Sequence, residues 1–461
     1  MTKPTPKVKS LKAKSAQLLA DRARQEIGEL SPMSQMERSA EEAARKLGQK
    51  RMDEQLGAMP EESGEAKPCP KCGKPASVRA KAVARSFKSL WGEHTLVRNY
   101  HYCNTCKRGF APRDIELGLP EMGELTADLE ARVMDFAVND SFGKGEERWG
   151  FHYPRIPLSS NQFRRSTERL GTLAHEANPI LLQEAAKPQP PESTATLYML
   201  MDGSRVPCIG EWKESKLGVF FREEEYLKGN PTQRGEVLKP RYVGCVGPQQ
   251  EDFLPLMKAA FHVEAACRPE RVVAVGDGAK GNWSLVRQVC PSAIQILDWY
   301  HALEHAMDLG KALLGEASPS LPLWQGRMSS LLFEGDVEAL VQEVLACLDS
   351  ECPESHLKAA NDFIGYVREN APRMRYRDFL DAGLIIGSGP VESGHRHVFQ
   401  ARMKRAGQHW SIRGADRMAR LRAHYSTSGP QRFYASVHWA HRETVKLPVR
   451  TVSKKRRASN R

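Results

Sequence analysis

The sequence lacks the long apolar segments that would place it in a membrane. Its 461 residues contain no apolar run that approaches a membrane span, for which about 20 residues are needed. The first ten residues, MTKPTPKVKS, contain no apolar stretch of the kind found in a secretory signal. The sequence therefore predicts a cytoplasmic location.

Cysteine is also scarce, and ten cysteines in a cytoplasmic chain do not predict a disulfide framework. Four of them form two CxxC pairs, CPKC and CNTC, and the other six are scattered. The segment between the pairs has the alternation of a β-hairpin, so each pair can lie on a turn. Four thiolates on two such turns are typical of a zinc ribbon. We predict one structural Zn²⁺ bound by Cys69, Cys72, Cys103 and Cys106, with a redox-active dithiol as the alternative.

Acidic residues are nearly absent from the last part of the chain. The formal net charge is +12, but the segment from His395 to Arg461 has seventeen Lys and Arg residues against two acids. A block such as KKRR at Lys454 to Arg457 attracts a polyanion by releasing bound counterions. The C-terminal segment therefore favours a DNA partner, although a solvated tail would have the same composition.

The order of patterns along the chain predicts an α/β RNase H-like catalytic core interrupted by an all-α insertion. Three strand patterns, then two strand-helix units, follow a proline-rich linker. A zinc ribbon and a helical DNA-binding region precede this core. The predicted segments are a helical, partly mobile N-terminal arm (1–67), the zinc ribbon (68–116), a helix-turn-helix-like region (117–184), a linker (185–195), the first part of the core (196–300), the helical insertion (301–380), the C-terminal part of the core (381–428) and a basic tail (429–461).

The segment SSNQFRRSTERLGTLAHEA is the candidate DNA-reading helix of the helical region. It begins with a capping signal and places its apolar residues on one face. Arg164 and Arg165 lie largely off that face and are the predicted DNA contacts. An ordinary amphipathic helix is the alternative.

Three acids stand at the ends of predicted elements. Asp202 and Asp277 each end a strand, and Glu392 lies near the start of a helix opened by Pro390. Acids at one edge of an RNase H-like sheet can hold two Mg²⁺ or Mn²⁺ ions, which is the arrangement used for phosphodiester cleavage. We predict Asp202, Asp277 and Glu392 as the metal ligands.

The stretch DWYHALEH, residues 298 to 305, fits two motifs. Its last five residues match H-x-x-E-H, the inverted zincin pattern of metallopeptidases. Its first four match D-x-x-H. The zincin interpretation leaves Asp202, Asp277 and the cysteine pairs unexplained, so it is the less favoured one.

The sequence resembles the DDE transposases of bacterial insertion sequences, of the ISKra type within the Mutator-like superfamily. The resemblance is carried by the two CxxC pairs, MDGSRVP, VGDGAKGNW, LDWYH and GSGPVESGHRHVFQARMKRAGQHWS. It implies that Asp202, Asp277 and Glu392 are a catalytic triad, with Asp298 and His301 as the D-x-x-H element of the active site. It also implies that the basic segment after Glu392 contacts DNA. The predicted contacts there are Arg402, Lys404, Arg405 and Trp410.

These patterns together predict a bacterial, nucleoid-associated DNA transposase. We expect it to bind terminal inverted repeats, cleave the DNA and transfer the strands with Mg²⁺ or Mn²⁺, as a homo-oligomer that is at least dimeric. One alternative is a zinc-ribbon DNA-binding regulator with a catalytically idle core. A remote alternative is the metallopeptidase with zinc at His301 and His305.

Overall fold

We describe a computed structural model of the chain. It describes residues 31–119, 123–176, 195–229, 235–247, 250–348 and 351–443. They divide into two compact units, the first ending at Leu117 and the second beginning at Gly118. The predicted linker up to residue 194, the first 30 residues of the N-terminal arm and the KKRR block lie outside the described residues. No described helix is both long enough and apolar enough to cross a membrane.

The first unit is a four-stranded antiparallel sheet with one long helix. Helix α1 (Pro32–Gly57) begins at Ser31, whose hydroxyl accepts a hydrogen bond from the Ser34 N–H at 3.2 Å. It packs on the hairpin, where Asp53 Oδ1 lies 2.6 Å from His94 Nδ1. The other elements, with sheet order β1-β2-β3-β4, are β1 (Lys67–Pro68), β2 (Pro75–Ser89), β3 (Gly92–Cys103), β4 (Arg108–Phe110) and α2 (Pro112–Glu116).

The second unit combines a mixed sheet with helices. Among the described residues, three helices precede the sheet: α3 (Ala127–Asn139), α4 (Phe142–His152) and α5 (Ser160–Glu176). The strands are β5 (Thr196–Cys208), β6 (Glu211–Arg222), β7 (Tyr226–Leu227), β8 (Glu236–Val237), β9 (Arg241–Val246), β10 (Arg271–Gly276) and β11 (Ile294–Leu297). Helices α6 (Gln250–Glu264) and α7 (Lys280–Val289) make the crossovers into β10 and β11.

The main sheet has the order β11-β10-β5-β6-β9. Strands β5, β6 and β9 are antiparallel neighbours, whereas β5, β10 and β11 run parallel. The first six residues of β5, TLYMLM, are all buried, as expected for a central strand covered on both faces. The parallel pairing of β5, β10 and β11 stops at Met201, Gly276 and Leu297, which lie together at one edge of the sheet.

Helices fill the interval between the last strand and the C-terminal region. They are α8 (Trp299–Leu314), α9 (Leu321–Glu334), α10 (Val337–Leu345), α11 (Glu354–Asn370) and α12 (Tyr376–Asp381). The chain then returns to the sheet through α13 (Gly389–His395), a π-helical turn (Arg396–Gln400) and α14 (Ala401–Met403). The last helix of the described residues, α15 (Ile412–Glu443), is broken at Gly429, which has φ +69° and precedes Pro430. Helix α15 packs on β9, α3 and α5.

Candidate active site and metal centre

The four cysteines of the two CxxC pairs come together in the first unit. Their sulfur atoms all lie within 4.8 Å of one another, and Cys72 Sγ is 3.7 Å from Cys103 Sγ. The Cys106 N–H, 3.4 Å from Cys103 Sγ, lowers the pKa of Cys103 to about 7. Four sulfur donors at this spacing fit tetrahedral coordination of zinc, which binds the thiolate form. The predicted cluster of four cysteines is therefore present.

Both CxxC pairs lie on tight turns that require left-handed backbone. Gly73 follows the first pair with φ +72°, and Lys107 follows the second pair with φ +53°. The Gly73 N–H donates to the Cys69 carbonyl at 2.9 Å, which closes the first turn. Glycine adopts this conformation freely, whereas lysine adopts it at a cost. The equivalent placement of the two residues indicates two similar metal-binding turns.

Strand pairing places three acids side by side in the second unit. Met201 of β5 pairs with Gly276 of β10, and Gly276 pairs with Leu297 of β11. Asp202, Asp277 and Asp298 are the residues that follow these three. Because neighbouring strands lie roughly 4.8 Å apart, the three acids occupy adjacent positions at one edge of the sheet. The sequence predicted both Asp202 and Asp277 at strand ends. Asp277 does follow β10, whereas Asp202 lies inside β5, which continues as an antiparallel partner of β6 as far as Cys208.

Helix α13 brings Glu392 to the sheet. It packs against β5 and β6, and Gly394 permits the close approach. A Cβ atom at Gly394 would lie 2.8 Å from Leu217 Cδ2 and 2.7 Å from Tyr242 Cε1. Glu392 itself is exposed, and its Oε1 lies 3.5 Å from Ser388 Oγ.

The three predicted metal ligands are not drawn together as a coordinating group. Among the described residues, only the four cysteines form a group of three or more His, Cys, Asp or Glu ligand atoms within 4.8 Å. Asp277 Oδ1 accepts hydrogen bonds from the Ala279 N–H at 3.1 Å and from Asn282 Nδ2 at 2.7 Å. Asp202 is partly exposed, with 35% of its side chain accessible. The strand register brings the backbones together, while the carboxylates keep separate partners.

His395 lies at this edge of the sheet, although no sequence pattern assigned it a role. It lies on α13 one turn after Glu392, is buried, and places Nε2 3.3 Å from Asp202 Oδ2. Neither ring nitrogen has hydrogen-bond geometry to a described partner. The i, i+3 spacing from Glu392 was the available signal, because it puts both side chains on one helical face.

Asp298 and His301 of the D-x-x-H element have different surroundings. Asp298 is buried and caps α8 by accepting from the Tyr300 N–H at 3.0 Å. His301 Nε2 lies 3.3 Å from His305 Nε2, and the His305 ring packs 4.6 Å from the ring of Tyr366. Burial raises the pKa of Tyr366, and the charges of Asp277 and Asp298 raise it further, which places this insertion residue beside the acids. The described residues supply no third ligand for a zincin-type site at the two histidines.

The predicted DNA contacts divide into exposed and buried residues. Arg164 and Arg165 are exposed on α5, where Arg164 pairs with Glu168 at 2.6 Å. Lys404 is half-buried and donates to Ser204 Oγ at 2.5 Å. Burial lowers the pKa of Lys404, and the nearby charge of Asp202 opposes that shift. Lys404 therefore lies next to the candidate catalytic edge.

Arg402 and Trp410 lie inside the protein, so the prediction that they contact DNA is replaced by a structural role. Their exposed fractions are 0% and 7%. The Arg402 guanidinium lies between the Phe142 and Trp410 rings, 4.9 and 5.0 Å from their centroids. Its Nε donates to the Ala137 carbonyl at 2.9 Å.

Three arginines satisfy the carbonyl end of α3. Arg402 binds the Ala137 carbonyl, Arg422 binds the Val138 carbonyl at 3.2 Å, and Arg405 binds the Asn139 carbonyl at 2.6 Å. The last carbonyls of a helix have no partner within the helix and carry partial negative charge, so cations there are stabilising. Arg405 is thus also engaged in holding the helical region onto the core. Basic composition alone could not separate this role from DNA contact.

No protein-family model matches this chain. The chain is 25% identical over 266 residues to several UPF0236 proteins of Caldanaerobacter subterraneus subsp. tengcongensis. The match covers 56% of this chain and 49% to 52% of those proteins, so it spans about half the length of the curated relatives. This is a weak homology. A chain of the Drosophila P element transposase strand transfer complex aligns over 72% of this chain and 94% of its own length, at 9% identity and a TM-score of 0.25, which is too low to support an argument.

Proposed function

We propose that this protein is a DNA transposase of the DDE type that binds the ends of its element, cleaves phosphodiester bonds and transfers strands. The single observation that carries the proposal is the register of the parallel strands. It puts Asp202 and Asp277 directly beside each other at one sheet edge, and α13 delivers Glu392 against β5, the strand of Asp202. The strand order, with three antiparallel strands followed by two parallel ones, also supports the RNase H-like interpretation.

The donor set fits divalent magnesium or manganese. Asp202, Asp277 and Glu392 offer carboxylate oxygens, the ligands these hard cations prefer, and none of the three side chains is fully buried. Ions bound there would activate a water or 3′-hydroxyl and stabilise the leaving oxygen. The carboxylates must turn toward one another to share ions, because each now has its own contacts. Lys404, beside Asp202, supplies a positive charge where a DNA phosphate would approach.

DNA binding by this chain would use exposed cations on the second unit. Arg164 and Arg165 project from α5, and Arg164 lines a surface cavity of about 370 Å³ together with the half-buried Arg417. Such cations provide sequence-independent affinity that falls with salt concentration. The first unit, with its cluster of four cysteines, is a second candidate DNA-binding element.

The proposal is tested with purified protein and labelled duplexes that carry the DNA flanking its gene. Mg²⁺- or Mn²⁺-dependent cleavage is expected for the wild-type protein. Asp277→Asn should keep DNA affinity within about twofold, while cleavage falls by a factor on the order of 1,000 or more. Asp308→Asn is the matched control, because Asp308 is an exposed acid on α8 that pairs with Lys311 away from the strand ends.

The catalytically idle regulator predicts a different result. Wild-type protein and Asp277→Asn would then bind the same DNA equally well, and neither would cut it with either metal ion. That outcome would refute the transposase proposal and leave DNA binding as the function. Peptide hydrolysis abolished by His305→Ala would support the metallopeptidase instead.

A further inference from the structure

Asp298 lies in a row with Asp202 and Asp277, but its carboxylate already accepts three hydrogen bonds. Oδ1 accepts from the Tyr300 N–H at 3.0 Å and from the Ser388 N–H at 3.4 Å. Oδ2 accepts from the Ser388 hydroxyl at 2.5 Å. The residue is buried, with 6% of its surface exposed. Asp298 therefore differs from Asp202 and Asp277, which remain partly exposed.

The backbone around Asp298 joins two parts of the site that are distant in sequence. The Asp298 N–H donates to the Gly276 carbonyl at 2.8 Å, directly before Asp277. The next N–H, of Trp299, donates to the Ile386 carbonyl at 2.9 Å. Ser388 lies 90 residues beyond Asp298. One dipeptide thus holds both the strand of Asp277 and the segment that leads into α13.

Ser388 transmits this attachment to Glu392. Its carbonyl accepts the Val391 and Glu392 N–H groups at 2.9 and 3.2 Å, which starts α13. Its hydroxyl, held by Asp298, lies 3.5 Å from Glu392 Oε1. The single hydroxyl proton is donated to Asp298, so this approach to Glu392 is an oxygen–oxygen contact and not a second hydrogen bond. The exposed acid is therefore located by its helix start and by Ser388.

We propose that Asp298 and Ser388 form a clamp that positions Glu392 relative to Asp277, and that Asp298 is a positioning residue rather than a metal ligand or a group that touches DNA. This inference rests on the proposed function, because it assigns the clamp to the carboxylate site of that reaction. It replaces the catalytic role that the D-x-x-H resemblance implied for Asp298. Partners that orient metal ligands typically change metal affinity or activity by roughly 10- to 100-fold when removed.

The test removes only the Ser388 hydroxyl. Ser388→Ala should weaken Mn²⁺ binding to the DNA-free protein, measured by electron paramagnetic resonance of free Mn²⁺, by about 10-fold or more. Amide hydrogen exchange of the segment 386–395 should become faster, because α13 loses its anchor. Ser388→Thr keeps a hydroxyl and should restore both properties. Ser393→Ala is the matched control, since Ser393 is an exposed serine on the same helix.

The outcomes separate the clamp from the function it serves. The clamp is supported if Ser388→Ala lowers Mn²⁺ affinity and DNA cleavage together, with DNA affinity unchanged and Ser393→Ala like wild type. It is overturned, with the transposase proposal intact, if wild type cuts DNA and Ser388→Ala binds Mn²⁺ and cuts within twofold of it. If wild-type protein binds no Mn²⁺ and cuts no DNA, both proposals fail, whatever the hydrogen exchange shows.

Discussion

Replacing Arg402 by alanine separates a structural arginine from a DNA-binding one. The substitution removes a fully buried guanidinium that donates to the Ala137 carbonyl and lies between Phe142 and Trp410. A hydrogen bond from a charged donor contributes about 1.5 to 3 kcal/mol, and each cation–π contact contributes about 0.5 to 2 kcal/mol. Burial opposes these gains, since it lowers the pKa of Arg402 to about 9. We expect a net loss of roughly 3 kcal/mol in the free energy of unfolding.

The measurement is urea unfolding followed by tryptophan fluorescence, with DNA affinity measured separately under conditions where the variant is folded. Arg396→Ala, an exposed arginine on the preceding turn, should change stability by less than about 0.5 kcal/mol. Folded Arg402→Ala should bind DNA within about twofold of wild type. Unchanged stability combined with a large loss of DNA affinity would show that Arg402 contacts DNA, and would refute the structural role.

Further outcomes follow from the metal centre, a buried histidine and a strained turn. Elemental analysis should find one zinc per chain. Cys72→Ser should lose the zinc, and circular dichroism should show that the first unit unfolds. Cys245→Ser, which changes a buried cysteine outside the cluster, should retain the zinc. Burial lowers the pKa of His424 to about 4, below its ordinary value of about 6.5. The free energy of unfolding should therefore fall as the pH drops from 6.5 toward 4, by up to roughly 3 kcal/mol. A urea midpoint that stays constant over that range, or the same pH dependence in His424→Asn, would contradict this. Lys107→Gly should raise the free energy of unfolding of the zinc-loaded protein by about 0.5 to 1 kcal/mol, because Lys107 has φ +53°. A lower free energy of unfolding would show that the lysine side chain stabilises the protein by more than its left-handed backbone costs.

The cysteine cluster was the feature that local sequence predicted best. Spacing within each CxxC pair fixes two ligands on one turn, and alternation between the pairs predicts the hairpin that brings the turns together. The four sulfurs do lie within 4.8 Å of one another. The role of Lys107 was not apparent, because lysine carries no sequence signal for a left-handed backbone.

The sequence placed Asp277 after a strand correctly and Asp202 at a strand end wrongly, and it could not assign roles to the acids. Asp202, Asp277 and Asp298 each follow a buried strand in the sequence pattern. Only the tertiary partners distinguish them. Asp298 accepts a hydrogen bond from the Ser388 hydroxyl, whereas Asp202 stays partly exposed beside His395. Those partners come from α13, which is distant in sequence, so no local pattern could reveal them. The catalytic and metal-binding roles of Asp202, Asp277 and Glu392 stay predictions.

The basic segment after Glu392 shows the limit of reasoning from charge. Its arginines are dense enough to predict a DNA surface, but Arg402, Arg405 and Arg422 turn to the carbonyl end of α3. A guanidinium can bind either a phosphate or a row of unpaired helix carbonyls, since both present oxygen acceptors with negative charge. Whether these arginines bind DNA phosphates or helix carbonyls depends on where α3 packs.

Local patterns of spacing and periodicity were enough to establish the set of candidate zinc ligands, the alternation of strands and helices, and the position of Asp277 after β10. Tertiary packing was needed to show which cations are buried, which acid is held by Ser388, and that His395 lies against Asp202. These relationships join residues that are far apart along the chain, and they exist only once the sheet register and the packing of α3, α13 and α15 are in place. Local propensity depends only on residues that are close in sequence, so it could not predict such contacts.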